Sequence, residues 1–69
     1  MSKTSYNRIK SVLAEKNMTN KNLADALGIG VVAVSNWCTN SRQPSVKTLF
    51  EIAAVLDTDV RLLLVSNKV

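Results

Sequence analysis

The sequence contains no histidine and only one cysteine, Cys38. Zinc sites are built mainly from several cysteine and histidine ligands, and histidine is the commonest general acid or base of enzymes. A single cysteine also rules out a disulfide within the chain. The five acidic residues are spread over different predicted elements, and 69 residues leave little volume for a pocket. We therefore expect no metal, no cofactor, no small-molecule ligand and no enzymatic activity.

Glycine and proline are scarce, with two glycines and one proline in the whole chain. This scarcity favours helices over a turn-rich β fold. Hydrophobic residues make up 46% of the sequence and charged residues 20%, which is typical of a globular domain rather than a disordered chain. We expect one domain over residues 1–69, with its core within about 6–65 and frayed ends at 1–5 and 66–69.

Long apolar segments are also missing. No apolar run approaches the ~18 residues that a membrane-spanning helix needs, and no signal peptide opens the chain. These two features predict a cytoplasmic protein without a membrane partner.

Positive charge is in excess. Nine lysines and arginines outnumber five acidic residues, which gives a formal net charge of +4. This excess suits a polyanionic partner. Small proteins also carry such a charge for solubility alone, so the charge by itself leaves both interpretations open.

Apolar residues recur at helical spacing along the chain, which predicts an all-α fold of five short helices. The first covers about 6–17, because its final asparagine tolerates the left-handed conformation that follows a helix. The second follows the N-cap Thr19 and ends at Gly28, and Gly30 precedes a third helix over 31–39. The inward residues predicted for this half are Tyr6, Ile9, Val12, Leu13, Leu23, Ala24, Leu27, Ile29, Val34 and Trp37 or Cys38.

Two further helices follow the polar loop TNSRQP. Pro44 fixes this loop, and Ser45 caps the fourth helix. Asp57 and Thr58 form a connector to Asp59, which caps the last helix and suits the positive end of its dipole. The inward residues predicted for this half are Val46, Leu49, Phe50, Ile52, Ala53, Leu56, Val60, Leu63 and Leu64.

Residues 20–37 contain the small, glycine and apolar residues that two steeply crossing helices joined by a short turn require. Ala24 is small enough to let the next helix approach, and Gly28 supplies the backbone conformation of the turn. The apolar residues at 23, 27, 29, 34 and 37 are expected to pack in the space between the two helices. The set predicts a helix-turn-helix formed by helices 2 and 3.

The chain resembles the phage repressor and Cro-type helix-turn-helix family, also called XRE-like. The resemblance rests on RIKSVLAEKNMTNKNLADALGI, on SNW, and on RQPSVKTLFEIAAVLDTDVRLLL, which together cover most of the chain. It implies a lambda-repressor-like bundle of four or five helices that binds double-stranded DNA, usually as a two-fold dimer. The implied function is that of a small transcriptional regulator, a repressor without an effector domain.

In such a protein the second helix of the motif lies in the major groove, with its first residues against the base edges. The outward positions here are Val31, Val32, Ser35 and Asn36, with Thr39 at the exit. Ser35 and Asn36 can hydrogen-bond to bases or phosphates, but relatives usually carry polar residues in place of the two valines. Two interpretations follow: the valines contact thymine methyls, or the chain is a protein-binding module, an antitoxin or adaptor, with only weak non-specific DNA binding.

Contacts to the DNA backbone are predicted on both sides of this helix. Asn20 and Lys21 lie at the start of helix 2, where exposed amides favour an anion. Asn40 and Arg42 lie on the loop that in this family runs beside the DNA backbone, and Lys47 adds charge. Such contacts supply most of the non-specific affinity.

The last helix suggests a homodimer. If Val60, Leu63 and Leu64 point inward, Leu62 and Val65 point elsewhere, and exposed apolar residues often mark an interface. The other interpretation is that Leu62 only covers the open edge of a small core. Trp37 is interpreted as a core residue rather than a base-stacking one, since base stacking suits single strands.

Overall fold

The computed structural model describes residues 5–67. Of the frayed ends predicted at 1–5 and 66–69, residues 1–4 and 68–69 lie outside the described residues. Within 5–67 the chain forms four α-helices and one short 3₁₀ helix, which confirms the all-α class. The predicted fifth α-helix is replaced by the 3₁₀ helix. The elements are α1 Ile9–Glu15, α2 Asn20–Leu27, α3 Val31–Cys38, α4 Val46–Leu56 and the 3₁₀ helix Val60–Leu63.

The two ends of the described chain pair with each other. Asn7 and Leu64 form an isolated antiparallel bridge. Two backbone hydrogen bonds flank it, from Arg8 N to Leu63 O at 2.8 Å and from Val65 N to Tyr6 O at 3.0 Å. We call residues 6–8 and 63–65 the terminal ribbon.

This pairing explains two differences from the sequence-based expectation. The first helix begins at Ile9 rather than at Tyr6, because the residues before it are extended and the Asn7 side-chain oxygen accepts from Ile9 N at 3.1 Å. The last helix ends at Leu63, because Leu64 has extended backbone (φ −114°, ψ 150°) and joins the ribbon. Each end is therefore fixed by a partner that is distant in sequence.

All four α-helices end in the same way. One or two residues beyond each helix, a residue has positive φ: Asn17 (55°), Gly28 (71°), Asn40 (60°) and Asp57 (52°). The next residue then donates its N–H to the carbonyl five positions earlier, which satisfies a carbonyl that the helix leaves free. These bonds join Met18 to Leu13, Ile29 to Ala24, Ser41 to Asn36 and Thr58 to Ala53, at 2.9 to 3.0 Å.

The core lies between the helices. α2 packs on α3 and α4, while α1 packs on α3 and on the 3₁₀ helix, which also contacts α4. Every buried apolar residue of 5–67 was expected to point inward from its spacing. They are Ile9, Val12, Leu13, Leu23, Ala24, Val34, Trp37, Leu49, Ile52, Ala53, Leu56 and Leu63.

Five residues predicted to be inward are exposed instead: Tyr6, Ile29, Val46, Phe50 and Leu64. Tyr6 and Leu64 belong to the terminal ribbon rather than to a helix, and Ile29 lies in the turn after α2. Val46 and Phe50 are four residues apart on α4 and so share a face. That face is rotated away from the one formed by the buried residues of α4, so the predicted apolar stripe of this helix was too wide.

None of the helices in residues 5–67 is long and apolar enough to cross a bilayer, and the longest, α4, has 11 residues.

Candidate nucleic-acid interface

Helices α2 and α3 are joined by only three residues, 28–30. Gly28 adopts the left-handed conformation with φ 71°, and the N–H groups of Gly28 and Ile29 close the end of α2 on Asp25 and Ala24. A Cβ added at Gly28 meets no heavy atom within 4 Å. Backbone conformation rather than crowding therefore selects glycine at this turn.

Helix α3 divides into a buried side and an accessible side. Val34 and Trp37 are buried in the core, which confirms both as inward residues, and Cys38 is half-buried. On the other side Val31, Val32 and Ser35 are exposed and Asn36 is half-buried. The four positions predicted to meet base edges are thus accessible.

The polar side chains on this side differ in whether they already form hydrogen bonds within the protein. Neither the Ser35 hydroxyl nor the Asn36 side-chain amide makes a hydrogen bond within residues 5–67. The Thr39 hydroxyl, in contrast, donates to Asn36 O at 3.2 Å and lies 2.8 Å from the Ser41 hydroxyl. The side chains of Ser35 and Asn36 are therefore available to bind a ligand, whereas the Thr39 side chain forms hydrogen bonds at the C-terminal end of α3.

Asn20 connects the two helices of the motif. It is the first residue of α2, and its side-chain oxygen accepts from Cys38 Sγ at 3.4 Å. Burial raises the pKa of the Cys38 thiol, while the charge of Lys10 lowers it to a smaller extent. Cys38 is therefore a neutral packing and donor residue.

Lys10 is a candidate that sequence reasoning missed. It lies on the exposed side of α1, outside the buried stripe of Ile9, Val12 and Leu13. Its exposure and positive charge were the only available signals, because spacing along the chain does not record that α1 packs on α3. Lys21, which was predicted, is exposed and pairs with Asp25 at 3.0 Å.

Asn40 holds the loop after α3 rather than extending from it. Its side-chain oxygen accepts from the backbone N–H groups of Tyr6 (2.9 Å) and Asn7 (3.1 Å) and from Gln43 Nε2 (3.2 Å). Its side-chain nitrogen donates to Asn7 O at 3.3 Å. Because these contacts use both side-chain polar atoms, Asn40 is a positioning residue for the loop.

Asn7, from the segment before α1, also binds this loop. It is buried, and its side-chain nitrogen donates to Trp37 O at 3.0 Å and to Gln43 Oε1 at 2.8 Å. We call Asn7, Asn40 and Gln43 the amide joint. Sequence reasoning missed Asn7 because it was expected to be an exposed position of helix 1.

Arg42 and Lys47 lie beyond the joint. The Arg42 N–H donates to Asn36 O at 3.2 Å, which ties the loop to α3, and its guanidinium is exposed without an ion pair among the described residues. Lys47 is exposed on the first turn of α4, which Ser45 caps through Thr48 N at 3.1 Å. Both cations are available to a ligand.

Leu62 and Val65 are both exposed, as the dimer interpretation requires. Val65 lies opposite Tyr6 in the terminal ribbon, and Tyr6 and Leu64 are exposed as well. These four residues are the terminal apolar surface.

Two helices joined by a tight glycine turn, the second with an accessible face, define a helix-turn-helix protein. A family model described as "Helix-turn-helix" matches residues 9–63. The chain belongs to the XRE-type helix-turn-helix family.

Two relatives illustrate this membership. The chain is 38% identical over 56 residues to the "Uncharacterized HTH-type transcriptional regulator YqaE" of Bacillus subtilis (strain 168). That match covers 81% of this chain and 48% of the relative, so the chain spans about half the length of the relative. It is also similar to a crystal structure described as that of "a putative DNA-binding protein from Bacteroides fragilis", with 46% identity and a TM-score of 0.84. This second match covers 86% of this chain and 95% of the other.

Proposed function

We propose that the protein binds double-stranded DNA in a sequence-dependent manner and acts as a small transcriptional regulator, a repressor. The observation that carries this proposal is the accessible side of α3, where the Ser35 hydroxyl and the Asn36 amide have no hydrogen-bond partner in residues 5–67. The descriptions of the Bacillus subtilis and Bacteroides fragilis relatives support it.

In this proposal α3 lies in the major groove with its first turn against the bases. The Asn36 amide has one acceptor and two donors, which match the N6 and N7 edge of adenine. Ser35 is adjacent and hydrogen-bonds to a base or a phosphate. Such a bidentate asparagine contact is worth about 1–3 kcal/mol of discrimination against another base.

Groups outside α3 bind the phosphates. Arg42 and Lys47 act from the loop side, Asn20 and Lys21 act from the start of α2, and Lys10 acts from α1, which packs on α3. The ion pair of Lys21 with Asp25 is exposed and therefore weak, so it leaves the lysine available. Asn40 and Thr39 contribute by holding the loop that carries Arg42.

A two-fold dimer through the terminal apolar surface completes the proposal. Leu62 and Val65 are exposed apolar residues three positions apart near the end of the described chain, and a symmetric interface uses the same patch on both copies. Two α3 helices then read an inverted repeat whose half-sites lie about one helical turn apart.

The competing function is that of a protein-binding module, an antitoxin or adaptor. Its support is the apolar surface formed by Ile29, Val31 and Val32 at the start of α3. It predicts weak, salt-sensitive DNA binding without a preferred sequence, and a stable complex with another protein.

The deciding experiment is selection of bound duplexes from a randomised library at two salt concentrations. We expect enrichment of an inverted repeat with half-sites about 10 bp apart. Salt-sensitive retention without an enriched sequence would leave duplex binding but favour the protein-binding module. Absence of retention at either salt concentration would contradict the whole proposal.

A matched pair of charge variants tests the predicted phosphate contact. Arg42→Gln and Arg61→Gln each remove one positive charge, but Arg61 lies on the 3₁₀ helix, outside the helix-turn-helix and the loop that follows it. Arg61 also pairs with Asp59, with Nη2 at 2.8 Å from the carboxylate, and its hydrogen bonds lower the pKa of Asp59 to about 2. We expect Arg42→Gln to reduce the slope of log K against log salt by about 1 and Arg61→Gln to leave it unchanged. Equal slopes for the two variants would contradict the role of Arg42.

A further inference from the structure

We propose that Val31 and Val32 form a binding site for the C5-methyl groups of pyrimidine bases in the major groove. The protein then recognises its DNA site partly through thymine methyls, and 5-methylcytosine can supply the same group. This inference rests on the proposed DNA-binding function and adds to it the chemical group that the first turn of α3 reads.

The first step is the exposure of the valines. Val31 is 45% exposed and Val32 69%, and Ile29 in the preceding turn is 39% exposed. Gly30 between them has no side chain, and a Cβ built there meets no heavy atom within 4 Å. The start of α3 thus presents an open apolar surface to a ligand that approaches along the helix.

The second step is the chemistry of the valine side chain. In a helix valine occupies mainly one χ1 rotamer, so its methyl groups have a fixed direction and lose little freedom on binding. Valine has no donor or acceptor and cannot read the hydrogen-bonding edge of a base. In the major groove it can make a favourable contact with the thymine C5-methyl group. The same ring position of cytosine carries the methyl group of 5-methylcytosine.

The third step is the order of contacts along α3. Asn36 lies four residues after Val32, so the two side chains share one face of the helix. Four residues correspond to about 6 Å along the helix axis, or roughly two base-pair steps of 3.4 Å. The proposed half-site therefore has one or two methyl-bearing pyrimidines about two base pairs from an adenine that Asn36 reads.

The surroundings favour DNA over a protein as the occupant of this surface. Ser35 and Asn36 extend it with polar groups that have no partner among residues 5–67. Burial of these groups against an apolar protein surface would leave them unsatisfied, which is costly. A groove edge supplies both methyls and hydrogen-bonding groups.

The test begins with two parallel selections, from a library synthesised with thymine and from the same library with uracil in every thymine position. Uracil keeps the pairing of thymine but lacks the methyl group. We expect the thymine library to yield a strong sequence preference and the uracil library a weaker one.

Fluorescence anisotropy on the best thymine duplex then measures single methyl groups. At the positions that contact α3 we expect each thymine-to-uracil change to weaken binding about fourfold, the value of one buried methyl group. Methylation of a cytosine placed at such a position should strengthen binding by a similar factor. The same changes in the flanking sequence are the control and should have no effect.

Valine variants assign the effect to the protein side. We expect Val32→Ala to reduce the preference for thymine over uracil duplexes, and the double variant with Val31→Ala to reduce it further, because alanine retains only its Cβ methyl group for this contact. Both valines are exposed and alanine favours a helix, so these variants should fold, which circular dichroism verifies.

Several results would overturn the inference. Equal binding of thymine and uracil duplexes by the wild type would do so, as would a methyl effect of the same size in the wild type and in the double variant. Salt-sensitive retention without any enriched sequence would reject methyl reading while duplex binding stands. Absence of duplex retention would reject the proposed function itself, and the valine surface would then belong to a protein partner.

Discussion

Backbone conformation limits which residue can follow each α-helix of this protein. A left-handed conformation costs most residues about 1–2 kcal/mol, whereas glycine adopts it freely and Asn and Asp tolerate it better than others. Within residues 5–67 the four such positions are occupied by Asn17, Gly28, Asn40 and Asp57. The residue type at each position is therefore a requirement of the turn rather than of the core.

The two glycines offer a direct test of this requirement. We expect Gly28→Ala to lower the free energy of unfolding by about 1 kcal/mol, because φ is 71° there. Gly30→Ala should change it by less than about 0.5 kcal/mol, because φ is −74° and the site is open. Urea unfolding followed by Trp37 fluorescence measures both. Equal losses in the two variants would show that the left-handed conformation is not the cause.

Among the elements, the loop between α3 and α4 depends most on side chains. It has no regular structure, and the amide joint fixes it to the terminal ribbon and to the end of α3. The joint therefore links the loop that carries Arg42 to the ribbon that carries the proposed dimer residue Val65. The positions of this loop and of the terminal ribbon are therefore set by the same buried amide.

Removal of the Asn7 side chain should destabilise the protein strongly. Asn7 is 5% exposed, and its loss leaves Trp37 O, Gln43 Oε1 and Ile9 N without this partner. We expect Asn7→Ala to lower the free energy of unfolding by about 2–3 kcal/mol in urea titrations.

The matched control for Asn7→Ala is Asn36→Ala. The Asn36 side chain makes no hydrogen bond within residues 5–67, so its removal should leave stability within about 0.5 kcal/mol while it weakens DNA binding. A similar loss of stability in both asparagine variants would contradict the structural role of the joint.

For the molecule as a whole, the helical bundle could be predicted because its determinants are local. Spacing located every buried apolar residue, and the C-terminal signals at Asn17 and Gly28 were recognisable from residue type. The terminal ribbon could not be predicted in this way. It depends on pairing between the two ends of the chain, which no local pattern records, and it sets both the start of α1 and the end of the 3₁₀ helix.

The candidate site shows the same division. The accessible side of α3 follows from the inward positions of Val34 and Trp37, so its outward residues could be predicted from spacing and family resemblance. The hydrogen bonds of the Asn40 side chain could not be predicted. A polar loop residue looks the same in the sequence whether its side chain points to a ligand or binds the backbone of Tyr6 and Asn7. The hydrogen-bond partners of such a side chain are determined only when the distant parts of the chain pack together.

Assembly of two molecules is the last property to test, and two exposed residues make a matched pair for it. Leu62 is 52% exposed on the 3₁₀ helix, and Phe50 is 59% exposed on α4. A lysine at either position adds one positive charge and removes one apolar side chain, but only Leu62 belongs to the proposed interface. Sedimentation at micromolar concentration should show a dimer for the wild type and for Phe50→Lys, and a monomer for Leu62→Lys.

The same variants separate assembly from DNA reading. Because each half-site is contacted by one α3 helix, Leu62→Lys should keep its affinity for a single half-site and lose the gain that an inverted repeat provides. A monomeric wild type at these concentrations would reject the proposed dimer, and a dimer that only Phe50→Lys dissociates would place the interface elsewhere. In the second case the exposed face of α4 with Val46 and Phe50 would be the contact, and the half-sites would have a different spacing because the two α3 helices would be differently oriented.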